Sequence, residues 1–345
     1  MQQITVGVVG YGYWGPNFVR NFTEIDNVEL RYICDLRLDH LDRHRNRYPT
    51  LRLTQDYSEL LADKSLDAIT IATPVDSHFS LAKQALLAGK HVLLSKPMCR
   101  NSAQCEELIA IADERKLVLM VDHTFVYHGA VRLMKQLITD GEVGDLLYLS
   151  SVRVNLGIFQ QDVNVLWDLG AHDFSILDYL VGRTPKSMHA VGKSHTTTDL
   201  EDIAFVTLEF DDNFIANFHV SWLSPVKIRQ MIIGGTRKML MFDDHRPIEK
   251  VCIYDKGIEM SKPPQTERER YRALVQYRNG DMRAPAYENH EALKTEALHF
   301  IECITTGSTP LSDGRSGMRV VKLLELADAA LKGQQFLTVN AIGTT

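Results

Sequence analysis

Two clusters hold the side chains best suited to moving a proton. In Leu94-Ser95-Lys96-Pro97 an amine stands at the end of an apolar run that begins at His91, and a proline fixes the backbone after it. In Trp167-Asp168-Leu169-Gly170-Ala171-His172-Asp173 a carboxylate precedes an imidazole by one helical turn. On a helix, residues i and i+4 share a face. A carboxylate in that position holds the imidazole in one tautomer and raises its basicity, which is what a general base needs. The helix continues with Phe174, Ile176, Leu177, Leu180 and Val181, which must bury elsewhere. Each cluster also has a plainer reading. A strand-end lysine is ordinarily a surface charge, and Asp168 would serve as a helix cap beside a packed histidine. The elements that position these residues decide between the readings.

The chain opens on a β-branched run, Ile4 to Val9, that empties into Gly10-x-Gly12-x-x-Gly15 and then a helix-compatible stretch, Asn17 to Phe22. In a dinucleotide site the first glycine makes the tight turn, the second admits a pyrophosphate, and the third lets helix and strand pack closely. The helix N-terminus adds unpaired N–H groups and a partial positive charge. A second strand is expected over Val28 to Cys34, a charged helix over Arg37 to Arg47, and a strand over Asp67 to Ala72. Next come a helix from Ser77 to Ala88 with Asp76 as N-cap, a strand from His91 to Leu94, a helix from Ser102 to Arg115 and a strand from Leu117 to Val121. Strands alternating with helices imply a parallel, doubly wound sheet. In such sheets ligands bind outside the carboxyl ends of the strands, which is where Lys96 falls. Asp35 ends the second strand about 20 residues after Gly15, the interval at which an acid reaches the adenosine ribose 2′-hydroxyl. The cofactor expected is therefore NAD. Arg37, two residues on, would tolerate a 2′-phosphate and leaves NADP open.

From about Phe125 the pattern changes. A helix from Gly129 to Thr139 leads into a long strand, Leu146 to Asn155, and a further helix is expected over Asp168 to Leu180. The region from Lys186 to Tyr254 reads as consecutive strands with turns such as Asp211-Asp212-Asn213, suggesting an antiparallel meander. One face of such an open sheet needs a cover, for which another subunit is the usual solution. Ser261 to Tyr287, with Pro263-Pro264 and a dense Arg/Glu run, reads as an irregular excursion or an arm. Two helices, Asn289–Thr305 and Arg315–Leu331, close the chain. The fold class expected is α/β: a Rossmann domain over 1–124, then an α/β domain over 125–345 with a large, mostly antiparallel sheet, its C-terminal helix packing back on the first domain.

Composition narrows the function. The chain has 345 residues, 45% hydrophobic and 24% charged, with a formal net charge of −6. That composition is ordinary for a soluble globular protein, and the charge gives no basic field for nucleic acid. The five cysteines have no metal-binding or Cys-x-x-Cys spacing, so reduced thiols in a cytoplasmic protein are expected. No apolar run approaches the roughly 18 residues of a membrane span. His189, His195, Asp122-His123 and His128 do not complete a metal set with Asp168 and His172. No Gly-x-Ser-x-Gly elbow supports a serine nucleophile.

Together these motifs resemble the Gfo/Idh/MocA family of nicotinamide-dependent oxidoreductases over nearly the whole chain. The resemblance rests on Gly10-Tyr11-Gly12-Tyr13-Trp14-Gly15, Ala72-Thr73-Pro74 followed by His78, Gly89-Lys90-His91-Val92 leading to Lys96-Pro97, and Asp168-x-Gly170-x-His172. It implies oxidation or reduction of a secondary alcohol on a sugar, inositol or sugar derivative, in a homodimer or homotetramer formed through the C-terminal sheet. Gly12 to Asn17, Val152 to Gly157 and Asp162 to Asp168 look most like the nucleotide-sugar 3-dehydrogenases, which act on UDP-N-acetylglucosamine-type compounds. The roles implied are catalysis by Lys96 and His172, with Asp168 orienting His172 or touching a neighbouring hydroxyl. Cofactor contacts are implied for Gly10, Gly12, Tyr13, Trp14, Gly15, Asp35, Leu36, Arg37, Thr73, Pro74, His78, Ser95, Lys96 and Trp167. Substrate contacts are implied for Lys96, Tyr127, Arg153, Asn155, Asp168, His172 and Arg278, with Arg283 beside Arg278 for an anionic group. No metal is implied. The family pattern has Glu before Lys-Pro, contacting the nicotinamide ribose. Ser95 stands there, so that contact passes through water or is lost. Three alternatives remain at this point: transient oxidation by a retained NAD, a free-sugar or inositol dehydrogenase, and a non-catalytic NAD-binding protein.

Overall fold

The run Ile4-Thr5-Val6-Gly7-Val8-Val9 forms β1 (Ile4–Val9), buried at every position. Strands covered on both faces read as continuous apolar runs, because parallel sheets are sandwiched between helices. Beside it lie β2 (Val28–Cys34), β3 (Arg52–Thr54), β4 (Ala68–Ile71), β5 (His91–Ser95) and β6 (Leu119–Asp122), all parallel, in the order β3-β2-β1-β4-β5-β6. The order reverses between β1 and β4, which opens a crevice at their carboxyl ends. The helices between the strands are α1 (Gly15–Thr23), α2 (Leu38–Asp42), α3 (Tyr57–Ala62), α4 (Val75–Leu87) and α5 (Ser102–Arg115). The computed structural model describes residues 3–42, 48–157, 159–196, 199–258, 266, 268 and 277–333. The expected helix over Arg37 to Arg47 is described only to Asp42, and its remainder lies outside these residues.

Three local expectations change. β3 and α3 were not foreseen, because both are short; the local signal for α3 is Asp56, whose side chain accepts from the Ser58 N–H. α4 starts at Val75 behind Pro74, so Asp76 is inside the helix and pairs with Arg100 rather than capping it. The expected irregular stretch contains β14 (Tyr277–Arg283), and most of the remaining excursion lies outside the described residues.

The chain divides into two compact units, Met1–His128 with His290–Glu325 and Gly129–Asn289 with Leu326–Thr345. A single cut at residue 124 therefore becomes a discontinuous division. In the first unit, α8 (Ala292–Thr306) packs on α1 and on a 3₁₀ turn, Thr124–Tyr127. The segment after it continues the β6 edge, with the Val121 N–H donating to the Ser312 carbonyl at 2.8 Å. α9 (Gly314–Leu331) follows, its residues from Leu326 belonging to the second unit.

The second unit is built on an eight-stranded sheet. Its strands are β7 (Leu146–Leu156), β8 (Ser187–Lys193), β9 (Ile203–Glu209), β10 (Ile215–Ser221), β11 (Leu223–Gly235), β12 (Met239–Asp243), β13 (Val251–Ile258) and β14, in the order β14-β13-β12-β11-β7-β10-β9-β8. The meander is interrupted once. β10 and β11 are joined through Trp222, yet β7 lies between them, parallel to β10 and antiparallel to β11. Strand alternation sets the two faces: Ala204, Val206 and Leu208 point inward on β9, while Phe205 points out and is 46% exposed. On the inner side, Phe174 of α7 (Ala171–Val181) meets Phe218 edge-on at 5.1 Å. Both rings are fully buried. Phe218→Ala is expected to cost about 3–5 kcal/mol of stability, read from urea unfolding; a loss under about 1 kcal/mol would mean that this contact does not organise the core.

Candidate active site

The crevice in the first unit is shaped by crowding. Gly10 has φ +89°, and a Cβ there would stand 2.7 Å from the Ala72 backbone and 2.8 Å from the Thr73 methyl. A Cβ on Gly15 would run into the Gly10 carbonyl, so the helix can start this close to the strand only with glycine there. Around Gly12 the space is open. Pro16, which has no N–H, occupies the first turn of α1, and the Asn17 N–H donates to the Trp14 carbonyl at 2.9 Å; among the described residues no side chain caps that helix, so its other first-turn N–H groups are placed for an anion. Tyr13 is 84% exposed beside the open space.

At the adenosine end, Asp35 accepts from the Tyr11 N–H at 2.6 Å and the Arg37 N–H at 2.8 Å, with His40 Nδ1 at 3.3 Å. Burial pushes its carboxyl up, but the Arg37 and Tyr11 amides and His40 more than offset this and hold it below its usual range. Leu36 and Arg37 are exposed beside it. A fixed anion flanked by an exposed apolar side chain suits an adenosine ribose with its ring alongside.

At the other end stand Ser95, Lys96, Asp122 and His123. Ser95 ends β5 in register with Asp122 on β6. Its Oγ is buried and, among the described residues, has no hydrogen-bond partner, and the same holds for both ring nitrogens of His123. Burial first, then the Lys96 charge, pushes His123 down to about 3, so the ring is neutral and offers one donor and one acceptor. Buried polar atoms left unpaired are costly, and three of them at a ligand-binding sheet edge fit a polar molecule such as the nicotinamide half of NAD. The Asp122 carboxylate accepts from Trp14 Nε1 and Thr124 Oγ1, each at 2.5 Å. Asp122 and His123 had no role in the sequence reading; their position at a strand's carboxyl end was the available signal.

His78 changes role. It is buried, with Nδ1 2.9 Å from the Pro97 carbonyl and Nε2 2.7 Å from the Thr73 carbonyl. Burial outweighs these carbonyls and keeps the imidazole below its usual range. It sits between the Thr73-Pro74 loop and the Lys96-Pro97 loop, whose peptide bond is cis, and as a neutral ring it donates to one of the two carbonyls. Tyr127 is buried too, 2% exposed, with its hydroxyl 2.8 Å from Ser312 Oγ.

In the second unit, Asp168 does not lie on a regular helix with His172. It falls in a π turn, Leu166–Gly170, and His172 lies in the first turn of α7. Asn164 sets this geometry, since its Oδ1 accepts from both the Leu166 and Trp167 amides. π turns recur at functional sites. Asp168 accepts from Trp222 Nε1 at 3.0 Å. Gly157 is pressed between Asn155 and Trp222, so Asn155, Trp222 and Asp168 come together beyond the end of β7. Trp167 is 6% exposed and its indole N–H donates to Asp328 at 2.8 Å. Arg153 is 3% exposed and bidentate to Asp173, an internal strut rather than a substrate contact. Arg278 is paired with Asp255 at 2.9 Å and with the Arg237 carbonyl, and Arg283 with Glu142; both brace the sheet edge. Among the described residues no group of three His, Cys, Asp or Glu is placed to hold a metal.

The family model for oxidoreductases with an NAD-binding Rossmann fold matches residues 4–123, and the model for the Gfo/Idh/MocA C-terminal domain matches residues 131–241. The chain belongs to the Gfo/Idh/MocA oxidoreductase family. A curated relative, the UDP-N-acetylglucosamine 3-dehydrogenase of Acidithiobacillus ferrooxidans, is 29% identical over 68% of this chain and 72% of its own. A solved structure of that enzyme superposes with a TM-score of 0.80 at 25% identity, covering 96% of this chain and 99% of that one. GenD2 from gentamicin A biosynthesis, solved in complex with NAD, has a TM-score of 0.83 at 22% identity, covering 99% and 97%. This member of the family is an oxidoreductase whose cofactor is NAD. Asp35→Asn is expected to weaken NAD several-fold and strengthen NADP, shifting the ratio of their dissociation constants about tenfold, or about 1.4 kcal/mol. Titration calorimetry measures this, and an unchanged ratio would show that Asp35 does not face the ribose.

Proposed function

We propose that this oxidoreductase interconverts a secondary alcohol and a ketone on a sugar, at C3 of a nucleotide-linked sugar. The reading is carried by the placement of Lys96 at the carboxyl end of β5, on the edge that bears the glycine loop. The kinship with the UDP-N-acetylglucosamine 3-dehydrogenase points to the substrate class. NAD, when bound, supplies hydride exchange with the carbinol carbon. The residues of the chain handle the proton and the alignment. Lys96 donates a hydrogen bond to the reacting oxygen and favours its alkoxide character. His172 takes the hydroxyl proton in oxidation and returns it in reduction. Asp168, held by the Trp222 indole, fixes a neighbouring hydroxyl or the imidazole. Alignment of the reacting carbon by such contacts supplies much of the barrier reduction.

The test is NADH formation from UDP-sugars, free sugars and inositols. Turnover is expected with a UDP-N-acetylhexosamine, and Lys96→Ala and His172→Ala are each expected to reduce kcat by at least about 100-fold with the fold retained by circular dichroism. Wild-type rates in either variant would remove that residue from the chemistry, and turnover only with inositol would reassign the substrate.

We also propose that a second copy of the chain covers the outer sheet face, where Val191, Phe205 and Ile215 are 67%, 46% and 43% exposed. Apolar side chains clustered on an open sheet are costly in water. Phe205→Lys is expected to shift the mass in light scattering toward the monomer; an unchanged oligomer would place the interface elsewhere.

A further inference from the structure

Glu296, on α8, is the most unusual titratable group of the first unit. It is fully buried, and among the described residues neither of its carboxyl oxygens has a hydrogen-bond donor. The groups it faces are the Asp122 carboxylate and the His123 N–H. That N–H already donates to the Val121 carbonyl at 2.7 Å. Two carboxyl groups buried side by side cannot both ionise, so one of them holds a proton. Asp122 already accepts from two donors, Trp14 Nε1 and Thr124 Oγ1. Glu296 has none, and burial followed by the charge of Asp122 pushes it well above the carboxylate range.

We infer that Glu296 is a positioning residue for the cofactor loop, a carboxylic acid that donates its O–H to Asp122 and so holds Asp122 where it accepts the Trp14 indole. The chain of contacts runs from Glu296 to Trp14, more than 280 residues earlier in the sequence and inside the Gly12–Gly15 loop. Asp122 gains a third donor and is fixed beside Ser95, its register neighbour. Trp14 is held at one end of α1, where it also meets Phe18 edge-on at 6.4 Å. An ionised Glu296 would repel Asp122 and release Trp14, and the loop that receives the pyrophosphate would lose its lateral support. Glu296 acts through Asp122 and Trp14 and does not itself touch the cofactor.

The test is the dissociation constant of NAD, measured by calorimetry on the full chain freed of cofactor, together with a double-mutant cycle. Glu296→Leu, which cannot donate, is expected to weaken NAD about tenfold, the scale of one hydrogen bond to a charged group. Glu296→Gln, whose amide donates to Asp122, is expected to restore affinity to within about threefold of wild type. In the Trp14→Phe background, Glu296→Leu is expected to cost nothing further. Equal affinity of wild type and Glu296→Leu, additive losses with Trp14→Phe, or no rescue by glutamine would each overturn the inference. Infrared spectroscopy supplies a readout even if the leucine variant does not fold. A carboxylic acid C=O band at neutral pH is expected in wild type and absent in Glu296→Gln, and its absence from wild type would also overturn the inference.

Discussion

The structure of the first unit depends on one steric constraint, the closeness of Gly10 to Ala72. β1 is buried to its last residue, so its backbone can leave the sheet only at Gly10, where the neighbouring strand's exit leaves no room for a Cβ. That turn sets the start of α1, which in turn requires Gly15 against the Gly10 carbonyl. The open space at Gly12 and the uncapped helix N-terminus follow. An anion-binding crevice is thus a consequence of close packing at the switch point of the sheet.

Around this constraint the polar groups fall into two kinds. Some are fully engaged within the protein, such as His78 between two carbonyls and Arg153 on Asp173. These hold loops and helices in place. Others are buried and, among the described residues, unpaired, namely Ser95 Oγ and the ring of His123, and they lie where the ligand-binding edge is expected. Ser95 offers a hydroxyl, both donor and acceptor, and the neutral His123 imidazole offers one donor and one acceptor, whereas a carboxylate only accepts. The second unit has its own polar cluster at Asp168, Trp222 and Asn155, organised by the π turn that Asn164 caps.

Much of this was legible from local signals. The β-branched run before Gly10, the position of Asp35 and the strand–helix alternation report short-range constraints on backbone and burial, and the parallel sheet followed from them. What could not be read depends on contacts distant in sequence. Nothing local distinguishes an arginine at a strand end from one buried on Asp173, or a tryptophan facing a ligand from one bound to Asp328. The insertion of β7 between β10 and β11 is of the same kind, since strand order is decided by the whole sheet. The π turn was hidden because its residues have a helical pattern, and Asn164, which accepts from the Leu166 and Trp167 amides, is an equally ordinary cap for an α-helix. Glu296 looks like an ordinary helix-surface charge until the fold buries it beside Asp122.

In the proposed reaction the cofactor edge around Gly10 and Lys96 exchanges hydride directly with a sugar carbon. Its most direct test uses a UDP-N-acetylhexosamine deuterated at C3 and follows the label by mass spectrometry. Each NADH formed is expected to carry one deuterium, and the rate to fall on deuteration. Unlabelled NADH, or deuterium released to water, would contradict it.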